Sequence, residues 1–347
     1  MNKIVEEDIE RIIASNLDWE IFRNKVFLVS GASGFLPAYI VETLLQLNKK
    51  QKGFNVRVIG LVRNLDKAKT RFAHWSESPF LEIKQHDVCE PFSSDRKIDF
   101  IIHAASQASP KYYGIDPVGT LNANVLGTNN LLQLASQHKV QKFLYFSSSE
   151  VYGQLPPEKI PTRESDYGYT DPTNVRACYA ESKRMGETMC VSWAHQFEVP
   201  VSIVRPFHTY GPGMDLNDGR VYADFISDIV HDRNIVMKSD GSAVRAFCYV
   251  ADATLGFFTV LLKGKNSEAY NVGNDKGESS IIALAEKLVT LFPEKKLEVI
   301  KKINQQQGYI NSFVSRTSPC IEKIKALGWQ PSTTIEQGFL RTIKSYL

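Results

Sequence analysis

Tyr179 and Lys183 stand four residues apart in CYAESKRMGETMC, residues 178–190. On a helix that spacing puts both side chains on one face. A free tyrosine titrates near pH ~10 and is a poor base at neutral pH. A neighbouring ammonium, together with a positively charged hydride acceptor, favours the phenolate and lowers that value. The phenolate can then take a proton from a hydroxyl while hydride leaves the same carbon. The spacing alone is common on exposed helices. What raises its weight is FSSSEVYG, residues 146–153, which closes an apolar run upstream. Ser148 and Ser149 are placed there to reach the same oxygen as Tyr179.

Hydride needs an acceptor, and GASGFLP at 31–37 offers a place for one. It follows the run VFLVS and opens a helix. Gly31 permits a tight turn, and Gly34 lets backbone approach a pyrophosphate favoured by the helix N-terminus. Ser33, Phe35 and Leu36 complete that turn. Pro37 stands where a third glycine is usual, and proline is tolerated in a first helical turn. This reads as a dinucleotide loop. The second strand ends in GLVRNLDKAK, with Arg63 where NAD sites usually place a carboxylate. Arginine suits a 2′-phosphate, so NAD and NADP both stay open. Asp87 and Val88 are placed to flank the adenine, and Ala104, Ala105 and Ser106 follow a fourth strand on the same edge.

These residues need a frame. VRVIGLV (56–62), LEIKQHDV (81–88), IDFIIHAAS (98–106), KFLYFSSS (142–149) and VPVSIVRP (199–206) read as further strands, with helices between them, one of them 123–138. Strand–helix alternation implies an α/β fold with a doubly wound parallel sheet of Rossmann type. The periodicity of Val5, Ile9, Ile12 and Ile13 predicts an amphipathic helix over 4–15, within an N-terminal extension of residues 1–24. Residues 25–206 with about 248–274 form the expected dinucleotide domain, and 207–247 with 275–347 a smaller substrate domain. Beyond residue 206, AYNVGN (269–274) reads as strand, TYGPGMDLNDGR as loop, and SIIALAEKLVTLF and IEKIKALGW as helices.

In this order and spacing, SGASGFLP, HAASQASP, FSSSEVYG, YAESK and RPFHTYGP resemble the extended short-chain dehydrogenase/reductases that act on nucleotide sugars. The resemblance covers nearly the whole chain from about residue 25. Within that family, HAASQASPKYY, SSEVYG, KRMGETM, NDGRVYADFI, RAFCYVAD and YNVGN look most like UDP-glucuronate decarboxylases. The resemblance implies a bound nicotinamide cofactor, a UDP-sugar substrate and a homodimer. It gives catalytic roles to Ser148, Ser149, Glu150, Tyr179, Lys183 and Arg316. It gives substrate contacts to Gln107, Ser109, Asn217, Arg220, Arg245 and Arg316, and a cofactor contact to His208. Three departures stand out: His208 in place of asparagine, Gly213 in place of arginine, and Ser148 in place of threonine.

Three rival readings remain: a 4-epimerase, a 4,6-dehydratase or NADP-dependent 4-keto-sugar reductase, and a dinucleotide-sensing protein without catalysis. Glu150 counts against the epimerase, Ser149 against the dehydratase, and the Tyr179–Lys183 pair against a mere sensor.

The 347 residues suffice for one large core or two joined domains. A net charge of +3 gives no electrostatic case for nucleic acid. The basic runs at 49–52 and 295–302 read as solvated faces. Cys89, Cys178, Cys190, Cys248 and Cys320 are scattered, which points to no metal cluster and to a reducing, cytoplasmic setting. No apolar run approaches the ~18–20 residues that span a bilayer, so no membrane partner is expected.

Overall fold

The computed structural model describes residues 1–302 and 315–347. The elements that build the main sheet run α1 (Lys3–Ile13), β1 (Val26–Ser30), α2 (Phe35–Lys50), β2 (Arg57–Val62), α3 (Leu65–Arg71), β3 (Leu81–Gln85), β4 (Phe100–His103), α4 (Pro110–Tyr113), α5 (Pro117–His138), β5 (Lys142–Phe146), α6 (Ala177–Phe197) and β6 (Val201–Pro206). There follow β7 (His208–Tyr210), α7 (Val221–Val230), β8 (Ile235–Met237), β9 (Val244–Tyr249), α8 (Val250–Lys263), β10 (Glu268–Val272), β11 (Glu278–Ser280), α9 (Ile281–Thr290), β12 (Val299–Lys301), β13 (Arg316–Thr317), α10 (Glu322–Lys325) and α11 (Ile335–Lys344).

Seven strands form one parallel sheet in the order β10-β6-β5-β4-β1-β2-β3. Successive strand residues point to opposite faces, and both faces are apolar. Phe27, Val29, Phe100, Ile102, Leu144 and Phe146 pack on the side of α2 and α8. Leu28, Ile101, Phe143 and Tyr145 pack on the side of α5 and α6. Burial on both faces explains why these strands read as unbroken apolar runs. The order reverses between β1 and β4, and ligand crevices of such sheets open at the carboxyl ends of strands flanking a reversal. Gly31 and Ala104 leave the sheet at that point. A smaller sheet orders β11-β9-β13, with β7 also on β9, and β8 pairs with β12.

Four details differ from the sequence expectation. Helix α5 begins at Pro117 rather than 123, because proline suits a first helical position and Asp116 caps the Gly119 N–H at 3.0 Å. Residues 208–210, expected as loop, form β7 because β9 offers them a parallel edge. IEKIKALGW is helical only over α10: the chain turns after it so that buried Trp329 can donate to the Asp252 carbonyl at 2.9 Å. Helix α11 was not anticipated, although Ile335, Phe339 and Ile343 recur at helical spacing and Thr334 with Gln337 forms a capping box at its start.

Helix α1 is seated by apolar Ile9 and Ile12 and by one buried carboxylate. Asp8 accepts from Tyr249 at 2.6 Å, Tyr39 at 3.2 Å and Arg341 at 2.8 Å. The N-terminal extension is thus tied to α2, β9 and α11. Asp8→Ala strands a guanidinium and two phenols, and should lower unfolding free energy in urea by about 3 kcal/mol. A loss within the noise would show that α1 is not held there.

Candidate active site

A cavity of about 870 Å³ opens where the sheet order reverses. Its first wall is the turn after β1. Gly31 has φ +66°, and a Cβ there would come within 2.9 Å of the Ala105 Cα. No other residue lets these two backbones lie so close. Gly34 precedes α2 with no side chain to cap the helix, leaving first-turn N–H groups for a ligand. Pro37, in that first turn, gives up a donor the helix would not use. Ser30 Oγ accepts from the Ala104 and Ala105 N–H groups at 3.1 Å each and so fixes the opposite lip. Ser33, Phe35 and Leu36 line this end, as do Arg63, Asp87, Val88 and Ser106. Arg63 is exposed at the end of β2, and Asp87 and Asp116 bring carboxylates to the same region.

The second wall is α6 with the turn after β5. Tyr179 and Lys183 share the buried face of α6, which confirms their helical spacing. Lys183 Nζ donates to the Phe146 carbonyl at 2.6 Å and lies 5.9 Å from the Tyr179 ring centre. Burial lowers the Lys183 ammonium to about 7, while Glu187 one turn on pulls it upward. Ser148 is hydrogen-bonded to the Tyr179 phenol, and Ser149 and Glu150 follow it along the cavity. Tyr113 stacks on Tyr179 at 5.1 Å and 18°. Beneath the site, Arg205 grips Glu187 through two nitrogens at 2.8 and 2.6 Å, and Glu187 accepts from Ser147 at 2.5 Å.

The chain's own charges do not by themselves ionise the phenol. Burial pushes Tyr179 up to about 12, and the Ser148 hydrogen bond offsets only part of that rise. The lysine ammonium is directed at the Phe146 carbonyl, so on the chain's own charges Tyr179 is a protonated acid at neutral pH. His208 lines the cavity, and burial with Arg245 and Arg220 nearby lowers it to about 3. A neutral imidazole there cannot act as a second acid across the working range, and it can still offer a hydrogen bond.

Of the expected substrate contacts, Gln107, Ser109 and Arg220 line the cavity. Gln107 donates to Asp116 at 2.7 Å, and Arg220 donates to the Ala108 carbonyl at 2.8 Å while pairing with Asp218. The structure does not bring Asn217, Arg245 or Arg316 to the cavity wall. Asn217 is exposed and its carbonyl takes Lys111 at 3.0 Å. Arg245 donates to the Val244 carbonyl at 2.8 Å. Arg316 sits in β13 and is held by Glu278 at 2.9 and 3.0 Å. Glu278, invisible to motif spacing, is the partner that holds Arg316 in this structure. Gly213, with φ +81°, stands against Arg71, which donates to its carbonyl at 2.7 Å. A Cβ at 213 would lie 2.4 Å from the Arg71 guanidinium, so a side chain there would require that guanidinium to move.

The cleft fits a nicotinamide dinucleotide: the Gly31 cradle would be filled by a Cβ, and Ser106 Oγ and His208 Nδ1 are buried at its wall without partners among the described residues. No group of acidic, histidine or cysteine side chains among the described residues is arranged to hold a metal. The profile of the NAD dependent epimerase/dehydratase family matches residues 27–273, and the chain belongs to that family. Its NAD dependence decides between the two cofactors that Arg63 left open. UDP-glucuronic acid decarboxylase 6 of Arabidopsis thaliana is 33% identical over 317 residues, spanning 91% of this chain and 87% of that protein. UDP-glucuronic acid decarboxylase 1 of Xenopus tropicalis is 35% identical over 332 residues, spanning 92% and 71%. Among solved structures, a UDP-glucose 4-epimerase of Thermotoga maritima superposes with TM-score 0.77 at 21% identity, covering 92% of this chain and 98% of that one. A dTDP-glucose 4,6-dehydratase of Streptomyces venezuelae does so with TM-score 0.77 at 24%, covering 92% and 96%. These two show the shared fold.

Tyr179→Phe removes the proton acceptor and leaves the Gly31 cradle intact. Turnover should fall by about 10²–10⁴-fold, while NAD binding, read by calorimetry, stays within a few fold. Unchanged turnover would remove the phenol from the chemistry.

Proposed function

We propose that this protein decarboxylates UDP-glucuronate to UDP-xylose. The observation that carries the reading is the cluster of Ser148, Glu150 and Tyr179 around one point of the cleft, in a chain about one-third identical to decarboxylases over nine-tenths of its length. Tyr179 takes the proton of the sugar O4, with Ser148 holding that oxygen. Bound NAD supplies a hydride acceptor for C4 and, when oxidised, further positive charge that draws the phenol toward ionisation. The resulting 4-ketone makes the C5 carboxylate a β-keto acid. The bond to the carboxylate then breaks, its electron pair enters the enolate on C4–C5, and CO₂ leaves. Hydroxyls at the ketone oxygen stabilise that enolate. C5 then takes a proton from water held by Glu150, and Tyr179 returns its proton to O4 as C4 is reduced. Net consumption is one proton, with no external reductant.

Three further points belong to this reading. The segments 207–247 and 275–347 hold the sugar nucleotide, with Arg220 the cation they bring to the cleft. The protein acts as a homodimer through α5 and α6, on which Val118, Leu121, Leu126, Met185 and Val191 are exposed. It works in the cytoplasm: all five cysteines are unpaired, and no described helix is long and apolar enough to cross a membrane.

One observation favours a second reading, 4-epimerisation. Gly213 and the Glu278-bound Arg316 leave two positions where the decarboxylase resemblance implied arginine without a cation at the cavity wall. Incubation with UDP-glucuronate decides between them. The expected result is CO₂ and UDP-xylose in equal amounts without net NADH; a mixture of C4 epimers that keep their carboxylate would establish the epimerase instead.

A further inference from the structure

The decarboxylation step needs Glu150 held beside C5, next to a substrate that is itself an anion there. Two carboxylates at close range repel, and an opposing charge must hold the protein's one in place. The expected cation, Arg316, is not in the cleft. The first residue before α6 supplies another.

Arg176 Nη2 lies 3.1 Å from Oε1 and 3.0 Å from Oε2 of Glu150, one nitrogen spanning both oxygens. Its side chain is 18% exposed and that of Glu150 38%, so the pair is half-buried, with water reaching it from the carboxylate side. The guanidinium carbon also sits 4.7 Å from the centre of the Tyr113 ring, and Tyr113 is the ring stacked on Tyr179. One arginine therefore touches both the carboxylate and the aromatic pair that carries the proton acceptor.

A second arginine of α6 shows what is particular about this contact. Arg184 donates to the Val151 carbonyl at 2.7 Å and to the Gly168 carbonyl at 3.0 Å. It fixes the path of the main chain around the turn and touches no acidic group of it. Arg176 addresses the Glu150 side chain itself. Arg176 does not line the cavity; it reaches the site through its ion pair with Glu150 and, less directly, through Tyr113 and its charge near the Tyr179 phenol.

We propose that Arg176 is the positioning residue that aims Glu150 at C5 and thereby serves the loss of CO₂ rather than the redox step at C4. This rests on the decarboxylase reading. Geometry errors near an angstrom at a reacting centre cost about 10²-fold, and that is the size of effect expected.

The test uses the NAD-loaded protein with UDP-glucuronate. In Arg176→Gln, CO₂ release should drop about 10²-fold, while the single-turnover rise of reduced-nicotinamide absorbance keeps its rate within a few fold. Arg176→Lys should recover part of the loss. The double variant Arg176→Gln/Glu150→Gln should be no slower than Glu150→Gln alone, because residues acting through one another are not additive. Wild-type CO₂ release in Arg176→Gln would overturn the assignment. So would an equal loss of oxidation and CO₂ release with additive behaviour in the double variant, which is the mark of a structural role. A wild-type protein that oxidises C4 but never releases CO₂ would overturn the decarboxylase reading first and this assignment with it.

Discussion

Everything in the cleft depends on a lysine ammonium placed where water does not reach. Lys183 is 2% exposed, its proton is directed at the Phe146 carbonyl, and burial alone would strip its charge. What opposes that is Glu187, one turn along the same helix face. Glu187 is in turn held by Arg205, which also takes the Tyr152 hydroxyl at 3.0 Å and the Glu164 carbonyl at 2.8 Å. The turn bearing Ser148 and Glu150, the helix bearing Tyr179 and the strand bearing Arg205 are joined by one buried set of charges. Such a set is expensive to bury and strongly destabilising to break at one member. Here it fixes the positions of the reacting groups relative to one another.

The fold was legible where both faces of a strand are buried. VFLVS and KFLYF are unbroken apolar runs because each alternate residue meets a helix layer, and the glycine turn after the first marks the crevice. Tyr179, Lys183 and Ser148 could be read because helix and strand-end spacing place them without long-range knowledge. What the sequence hid was decided by partners far along the chain. Arg316 fitted a spacing, but Glu278 captures it. Gly213 read as a lost arginine, while Arg71 comes from α3, more than a hundred residues earlier, to fill the adjoining space. Arg176 belongs to no short motif and becomes visible only once Glu150 is folded against it. Tyr113 was present in the run KYY, but nothing local showed that it would stack on Tyr179.

How the charge of the phenol divides between lysine and cofactor was hidden for a related reason. Spacing shows that an ammonium is near; it does not show where the ammonium points, or how much dry protein surrounds the oxygen. With Tyr179 pushed up to about 12 by burial, the chain alone stores the proton acceptor as a neutral acid. The resting site thus avoids an unpaired buried anion. An oxidised nicotinamide held at the Gly31 cradle would add the positive charge that favours ionisation, leaving Tyr179 to take the proton from the hydroxyl whose carbon gives up hydride.

The most direct test of this account follows the hydrogen at C4. UDP-glucuronate carrying deuterium at that carbon should yield a pentose product that keeps the label at C4 when the reaction runs in ordinary water, with slowed turnover. Label found in solvent, or an unlabelled product, would show that the hydrogen does not leave and return as hydride within one closed site, and the roles given to Tyr179 and Lys183 would fall.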